Sequence, residues 1–328
     1  MNEKLLHTPE GVRDIYDAEC KKKKKVISQI HHVLELYSYQ DIDTPSFEYF
    51  DIFNMDKGSA ASNEMYKFFD RNNNTLVLRP DITPSIARSV AKYYPEEQLP
   101  IRLCYAGNTF LNTHQHQGKL SEFTQIGGEL INDDSSAADA EIIACVIHCL
   151  LAAGLKEFQI EIGEVEFFKG MDDETEQRIK EYIHSKNFFG LTEFVNTLEI
   201  PEERKTALKS FESLFGGLDM LDHAEKLVTN AASLEAIARM RKVYTALTSY
   251  GYEKYVSFDL SMINRFNYYT GIVFRGYTYG TGDAIVKGGR YNSLMEKFGK
   301  KAPSVGFAIY VDDLMSAIAR NKIDVALD

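Results

Sequence analysis

The sequence predicts an α+β fold: a mostly antiparallel sheet flanked by helices, with a helical insertion within it. Three observations carry this. Gly271 to Tyr279 has the β-branched and aromatic content of a strand, Tyr279-Gly280-Thr281-Gly282-Asp283 makes a loop with two residues free to take positive φ, and Ala284 to Lys287 returns as a second strand. Ser304 to Tyr310 is nearly all apolar, as a central strand should be. From about Glu164 to Tyr250 the character changes to Glu- and Lys-rich helical stretches, separated by Gly190, Pro201, Gly216-Gly217 and Gly251.

The elements follow in order. Thr8-Pro9-Glu10-Gly11 is a turn-rich opening before a helix from about Asp17 to Tyr37, whose apolar face holds Val26, Ile27, Ile30, Val33, Leu34 and Tyr37. The five lysines Lys21 to Lys25 read as a solvated helix turn flanked by Asp17 and Glu19, rather than as a nucleic-acid patch. Asp41 to Pro45 is extended, because proline keeps its predecessor out of the helical region. Glu64 to Asp70 and Thr75 to Arg79 pair as a hairpin across Arg71-Asn72-Asn73-Asn74. Asp81 and Thr83 lie between a strand end and a helix from Ser85 to Tyr94; such residues cap helices or meet a ligand.

Ile101 to Phe110 and Glu122 to Ile131 are strands, joined by a polar loop from Leu111 to Lys119. Gln125 and Glu129 share strand parity and point to one side of the sheet, where a buried carboxylate needs a partner. Ala137 to Ala153 is an apolar helix and Lys156 to Gly163 another strand. Gly288-Gly289 is read as breaking the sheet, and Tyr291 to Phe298 as helical. Tyr268, Tyr269 and Tyr291, near strand ends, suit a small pocket with hydroxyls at its wall. No metal is expected. His114 and His116 lack a carboxylate or cysteine nearby, and Cys145, His148 and Cys149 read as a packed helix face.

The totals set bounds. A chain of 328 residues with 44% hydrophobic content can bury one large core or two unequal ones. A net charge of −11 repels phosphate backbones, so no nucleic-acid partner is expected. The longest apolar run, Ile142 to Ala153, is too short to span a bilayer. Four scattered cysteines suit reduced thiols, and no leader peptide is evident at the start, so a cytoplasmic location is expected.

The stretches NYYTGIVFRGY, GGRYNSLMEKFG, PSVGFAIYVDDL and EMYKFFDRNNNTLVLRPDITPSIAR resemble the histidyl-tRNA synthetase family. More closely, they look like that family's truncated paralogues, the regulatory subunits of ATP phosphoribosyltransferase. The resemblance implies a class II aminoacyl-tRNA synthetase-like fold over residues 1–328, an insertion at 164–250, and homodimerisation around Pro45. Little chain follows the last motif, so the synthetases' C-terminal anticodon-binding domain is not expected. The resemblance also places contacts to histidine at Asp81, Thr83, Gln125, Glu129, Tyr269 and Tyr291. An ammonium wants the first three as acceptors, and an imidazole wants Glu129 and Tyr269 for its two nitrogens.

Against the same pattern, the ATP half of the site departs. Arginine is expected at Leu111, His114, Ser121, Asn264 and Asp313, and a glutamate for adenine at Thr113; only Lys119 stays basic. Amino-acid activation builds negative charge on phosphate, so it needs preorganised cations. One charge contact at ~5 Å and an effective dielectric of ~20 is worth on the order of 3 kcal/mol, and Asp313 reverses its sign. The resemblance therefore implies a chain without catalysis or cofactor. It would regulate a short-form ATP phosphoribosyltransferase catalytic subunit within a hetero-octamer, with histidine as feedback effector. A minimal amino-acid-activating ligase and a free-standing histidine-binding scaffold are the competing readings.

Overall fold

Strand β12 (Ser304–Tyr310) lies near the middle of the main sheet, as its apolar sequence demands. The computed structural model describes residues 6–54, 60–112, 120–168, 172–262 and 268–327. Among these, the sheet has nine strands in the order β1-β5-β6-β12-β11-β10-β7-β9-β8. They are β1 (Gln40–Asp41), β5 (Ile101–Phe110), β6 (Glu122–Ile131), β7 (Phe158–Glu164), β8 (Phe215–Gly216), β9 (Val256–Asp259), β10 (Ile272–Thr278) and β11 (Val286–Arg290), with β12. Pairing is antiparallel except for β1 with β5 and β7 with β9. A small second sheet, order β2-β4-β3, contains the hairpin β3 (Lys67–Phe69) and β4 (Thr75–Leu78) beside β2 (Phe47–Tyr49). Asp70 accepts from the backbone of Asn72 and Asn74, which shapes the hairpin loop.

The two faces of the sheet are covered differently. Helix α1 (Asp17–Leu36) and the mostly buried α3 (Ser136–Ala152) pack on one face, with Ile126, Leu130 and Phe307 in the shared core. Cys145 and Cys149 lie inside that core, in line with a packed face. Lys23, from the lysine run, is ordered: its ammonium pairs at 2.7 Å with Asp312 of α9 (Val311–Arg320). The other face carries α2 (Thr83–Tyr93) and a smaller core of Ile82, Ile86, Leu103, Tyr105, Tyr268 and Tyr291. The cavity opens on this second face.

Residues 173–249 form five helices, α4 (Asp173–His184), α5 (Phe188–Thr197), α6 (Glu202–Lys209), α7 (Leu218–Leu227) and α8 (Ala231–Ser249). The two-residue β8 adds this segment to the sheet by pairing with β9. Gly190 does not separate helices. It sits in the first turn of α5, its N–H bonded to Asn187 Oδ1 at 2.9 Å. None of the helices among the described residues is long and apolar enough to cross a membrane.

Two further expectations are corrected. Gly288-Gly289 does not break the sheet: both residues lie inside β11, paired with Phe274 and Val273 on one side and with Phe307 and Gly306 on the other. They are glycines because side chains there would run into the rings of Phe274 and Tyr269 and the carbonyls of Gly306 and Ile272. Tyr291 to Phe298 is not a helix. Only Met295–Phe298 makes a short 3-10 turn, which ends at Gly299 in the left-handed region (φ 84°).

Candidate functional site

The corner between β4 and α2 positions the first two site residues. Arg79 is buried, and its guanidinium donates to the carbonyls of Asn108 (2.8 Å) and Thr44 (2.5 Å). That anchors the chain just before Pro80-Asp81. Asp81 Oδ1 accepts from the Ile82 N–H at 2.8 Å, and Tyr268 donates to Oδ2 at 3.3 Å. Asp81 is not the N-cap of α2: that position is Ile82, without a side-chain cap bond. Thr83, the first helical residue, points its hydroxyl across to the sheet.

Glu129 receives it. Thr83 Oγ1 donates to Glu129 Oε1 at 2.7 Å, and the Tyr291 hydroxyl donates to Oε2. Glu129 is 1% exposed. Burial pushes its carboxyl up to about 8, against the pull of the two hydroxyl donors. Register explains how the carboxylate fits. Glu129 lies opposite Gly306 on β12, and Gly306 lies opposite Gly289 on β11. A Cβ on residue 306 would occupy the place of Glu129 Oε2. Gln125, on the same side of β6, is buried, and its Oε1 has no hydrogen-bond partner among the described residues. Such a buried acceptor is costly until something donates to it.

Three tyrosines complete the deep end. The Tyr268 and Tyr269 rings stand 4.8 Å apart, and Tyr268 meets Tyr291 edge-on at 6.1 Å. Burial raises the hydroxyls of all three, so they remain protonated donors. The structure thus brings Asp81, Thr83, Gln125, Glu129, Tyr269 and Tyr291 to one cavity of about 1140 Å³. Behind it, Arg290, next to Tyr291, is buried among partners. Its Nε donates to Asp139 of α3 at 2.8 Å and its Nη1 to the Asp133 carbonyl at 2.8 Å. Arg239 of α8 takes the other Asp139 oxygen at 2.7 Å.

The outer half of the cavity is mixed in charge. Leu111 and Asp313 both line it, Asp313 exposed in the first turn of α9. Ser121 is buried with its N–H on the Gly11 carbonyl at 2.6 Å. Thr113, His114, His116, Lys119 and Asn264 lie outside the described residues. Cations also line this half, among them Lys287, which sequence reading passed over because a lone lysine in a strand carries no motif.

Comparison with known proteins was made on this geometry. A family model described as histidyl-tRNA synthetase matches residues 11–314. The chain is 41% identical to the ATP phosphoribosyltransferase regulatory subunit of Acetivibrio thermocellus, over 99% of this chain and 79% of that one. It is 40% identical to the protein of the same name from Ruminiclostridium cellulolyticum, over 96% and 77%. Among solved structures, an ATP phosphoribosyltransferase regulatory subunit/histidyl-tRNA synthetase from Bacillus halodurans superposes with a TM-score of 0.89 at 35% identity, covering 95% of this chain and 83% of that one. Histidyl-tRNA synthetase from Nostoc sp. PCC 7120 shares the fold at TM-score 0.80 and 21% identity, over 98% and 77%.

Proposed function

The chain belongs to the histidyl-tRNA synthetase family, in its group of ATP phosphoribosyltransferase regulatory subunits, and on that premise we propose that it is a non-catalytic, cytoplasmic subunit which binds histidine and imposes feedback on a short-form catalytic chain. The observation that carries this reading is the buried Thr83–Glu129–Tyr291 cluster beside the unpartnered Gln125 Oε1. An imidazole N–H needs an acceptor such as Glu129, and an α-ammonium needs Asp81, Thr83 and Gln125. Tyr269 would close on the ring. All six predicted residues are assigned to this ligand.

Activation chemistry is assigned to none of them. Leu111 and Asp313 line the cavity where the family's resemblance expects arginines, and Asn264 and Thr113 are uncharged. Without those cations a carboxylate would have little help in attacking phosphorus. Regulation then requires that histidine bind the two assembly states unequally, since equal affinity shifts nothing. The catalytic partner, the homodimer through the Pro45 region and the hetero-octamer belong to the proposal.

Calorimetric titration of the purified chain tests it. L-histidine should bind, ATP should not, and Glu129→Ala should abolish the histidine signal. Histidine-dependent exchange of pyrophosphate into ATP would return the minimal ligase reading. Reconstitution with a short catalytic chain should then restore phosphoribosyl transfer that histidine inhibits.

A further inference from the structure

The chain gathers a second set of chemically distinct side chains away from the cavity. Among the described residues, one ligating atom each from His31, Asp41 and Cys104 lies within 4.8 Å of the other two. None of the three lines the cavity. They are far apart in sequence, so no spacing announces them; the fold assembles them. Asp41 of β1 stands opposite Cys104 of β5 in the parallel pair at the end of the main sheet, and His31 comes from the second half of α1.

Asp41 Oδ1 is the hub. His31 Nε2 lies 2.7 Å from it, and the Cys104 thiol donates to it at 3.5 Å. Tetrahedral zinc, with bonds of about 2.0–2.3 Å, keeps its donor atoms roughly 3.4–3.6 Å apart. The thiol and the carboxylate already stand at that separation, and the imidazole need back away from the carboxylate by less than about 1 Å. The His31 side chain is 33% exposed, which leaves it room to do so, and that of Asp41 is 72% exposed. On the other side of the ring, Nδ1 faces Glu35 at 3.8 Å. Metal-binding imidazoles are oriented in this way, with a carboxylate behind the nitrogen that does not ligate. Burial pushes the Cys104 thiol up to about 12, so at neutral pH it becomes a thiolate only beside a cation.

We propose that His31, Asp41 and Cys104 bind a borderline-soft divalent cation, zinc above all, with its fourth position open to water on the exposed side of Asp41. One nitrogen, one oxygen and one sulfur donor suit zinc better than magnesium or calcium, which take oxygen ligands. On binding, the thiol proton leaves to solvent and the contact between His31 and Asp41 gives way to two metal bonds. The single proton of the neutral imidazole then sits on Nδ1, towards Glu35. The metal ties α1 to β1 and β5, just ahead of the extended segment that leads to Pro45.

The test titrates the full chain, reduced and stripped of metal by a chelator, with Co²⁺, whose bond to a thiolate absorbs in the near ultraviolet. That band should saturate at one metal per chain and fall when Zn²⁺ displaces the cobalt. Cys104→Ser should abolish the band, Cys20→Ser should leave it, and His31→Gln should weaken Co²⁺ binding by at least about a hundredfold. Should Cys104→Ser fail to fold, the half-exposed His31 keeps the test decisive: Zn²⁺ should raise the melting temperature of the parent and not that of His31→Gln. A parent chain without the band overturns the site, as does a band that survives Cys104→Ser or is lost in Cys20→Ser. A zinc-induced rise in melting temperature that His31→Gln retains overturns it equally, and leaves an ordinary His31–Asp41 pair beside a buried thiol.

Discussion

Glu129 and Gly306 face each other in register across β6 and β12, and the carboxylate fills the space a side chain at 306 would need. The acid is therefore held over a bare stretch of backbone, tied to α2 through Thr83 and to the end of β11 through Tyr291. Its surroundings suit a proton shared with a ligand better than a permanent charge.

The pH dependence of histidine binding follows. With Glu129 at about 8 in the empty cavity and a free imidazole near 6.5, the two groups together hold one proton between those values. The complex needs one proton between them. Below about pH 6.5 a proton must leave on binding, and above about pH 8 one must be taken up, so affinity falls on both sides. Dissociation constants measured from pH 5 to 9 should trace a bell. A steady rise in affinity through pH 9 would mean that the imidazole binds neutral to an ionised Glu129.

The same carboxyl costs stability when the cavity is empty. Its folded value, about 8, lies above the ordinary 4.5, so the folded chain holds a proton that the unfolded chain has released between those values. Stability is therefore lost as pH rises through that window. Glu164, buried with its Oε2 unpartnered among the described residues, is likewise pushed up to about 8 by burial. Glu129→Gln and Glu164→Gln should each raise stability at pH 8, by up to a few kcal/mol, with the gain vanishing near pH 4.5. Only Glu129→Gln should also lose histidine. Thermal unfolding across pH decides it: a gain at pH 8 no larger than at pH 5 refutes the argument.

Arg290 and Asp139 make the third case. Both are almost fully buried; burial raises the Asp139 carboxyl while Arg290 and Arg239 pull it back. Asp139→Ala takes away the buried carboxylate of Arg290, leaving the exposed Asp134 at 3.2 Å, and should cost about 3–5 kcal/mol in urea unfolding. Adding Arg290→Met should recover part of that. A loss below about 1 kcal/mol would mean that Asp134, Asn292 and the surrounding carbonyls satisfy the guanidinium.

Strands whose pattern is purely local were legible to the residue: Ile101–Phe110, Glu122–Ile131 and Ser304–Tyr310 stand where their alternation and apolar content placed them. Gly288-Gly289 was misread because glycine looks like a breaker until the Phe274 and Tyr269 rings that demand it are in view. The parallel pairs at β1 and β9 were out of reach, since periodicity marks a strand but not its neighbour. In the site, strand parity put Gln125 and Glu129 on one side correctly. That Thr83 would hydrogen-bond to Glu129 required the tertiary approach of α2 to β6. The ordering of Lys23 by Asp312, distant in sequence, was equally hidden within a run of like charges.

The main sheet ends at β1 on one side and β8 on the other, each two residues long. Unpaired strand edges are templates for stray chains, and edges this short offer almost nothing to template. Strand addition on β1 or β8 themselves is thereby disfavoured as a way of recruiting or misrecruiting other polypeptides. At those two strands, side-chain surfaces, which sequence can tune, weigh more in choosing a partner than the backbone does. Short end strands of this kind make a nine-stranded sheet a poorer seed for aggregates in crowded assembly.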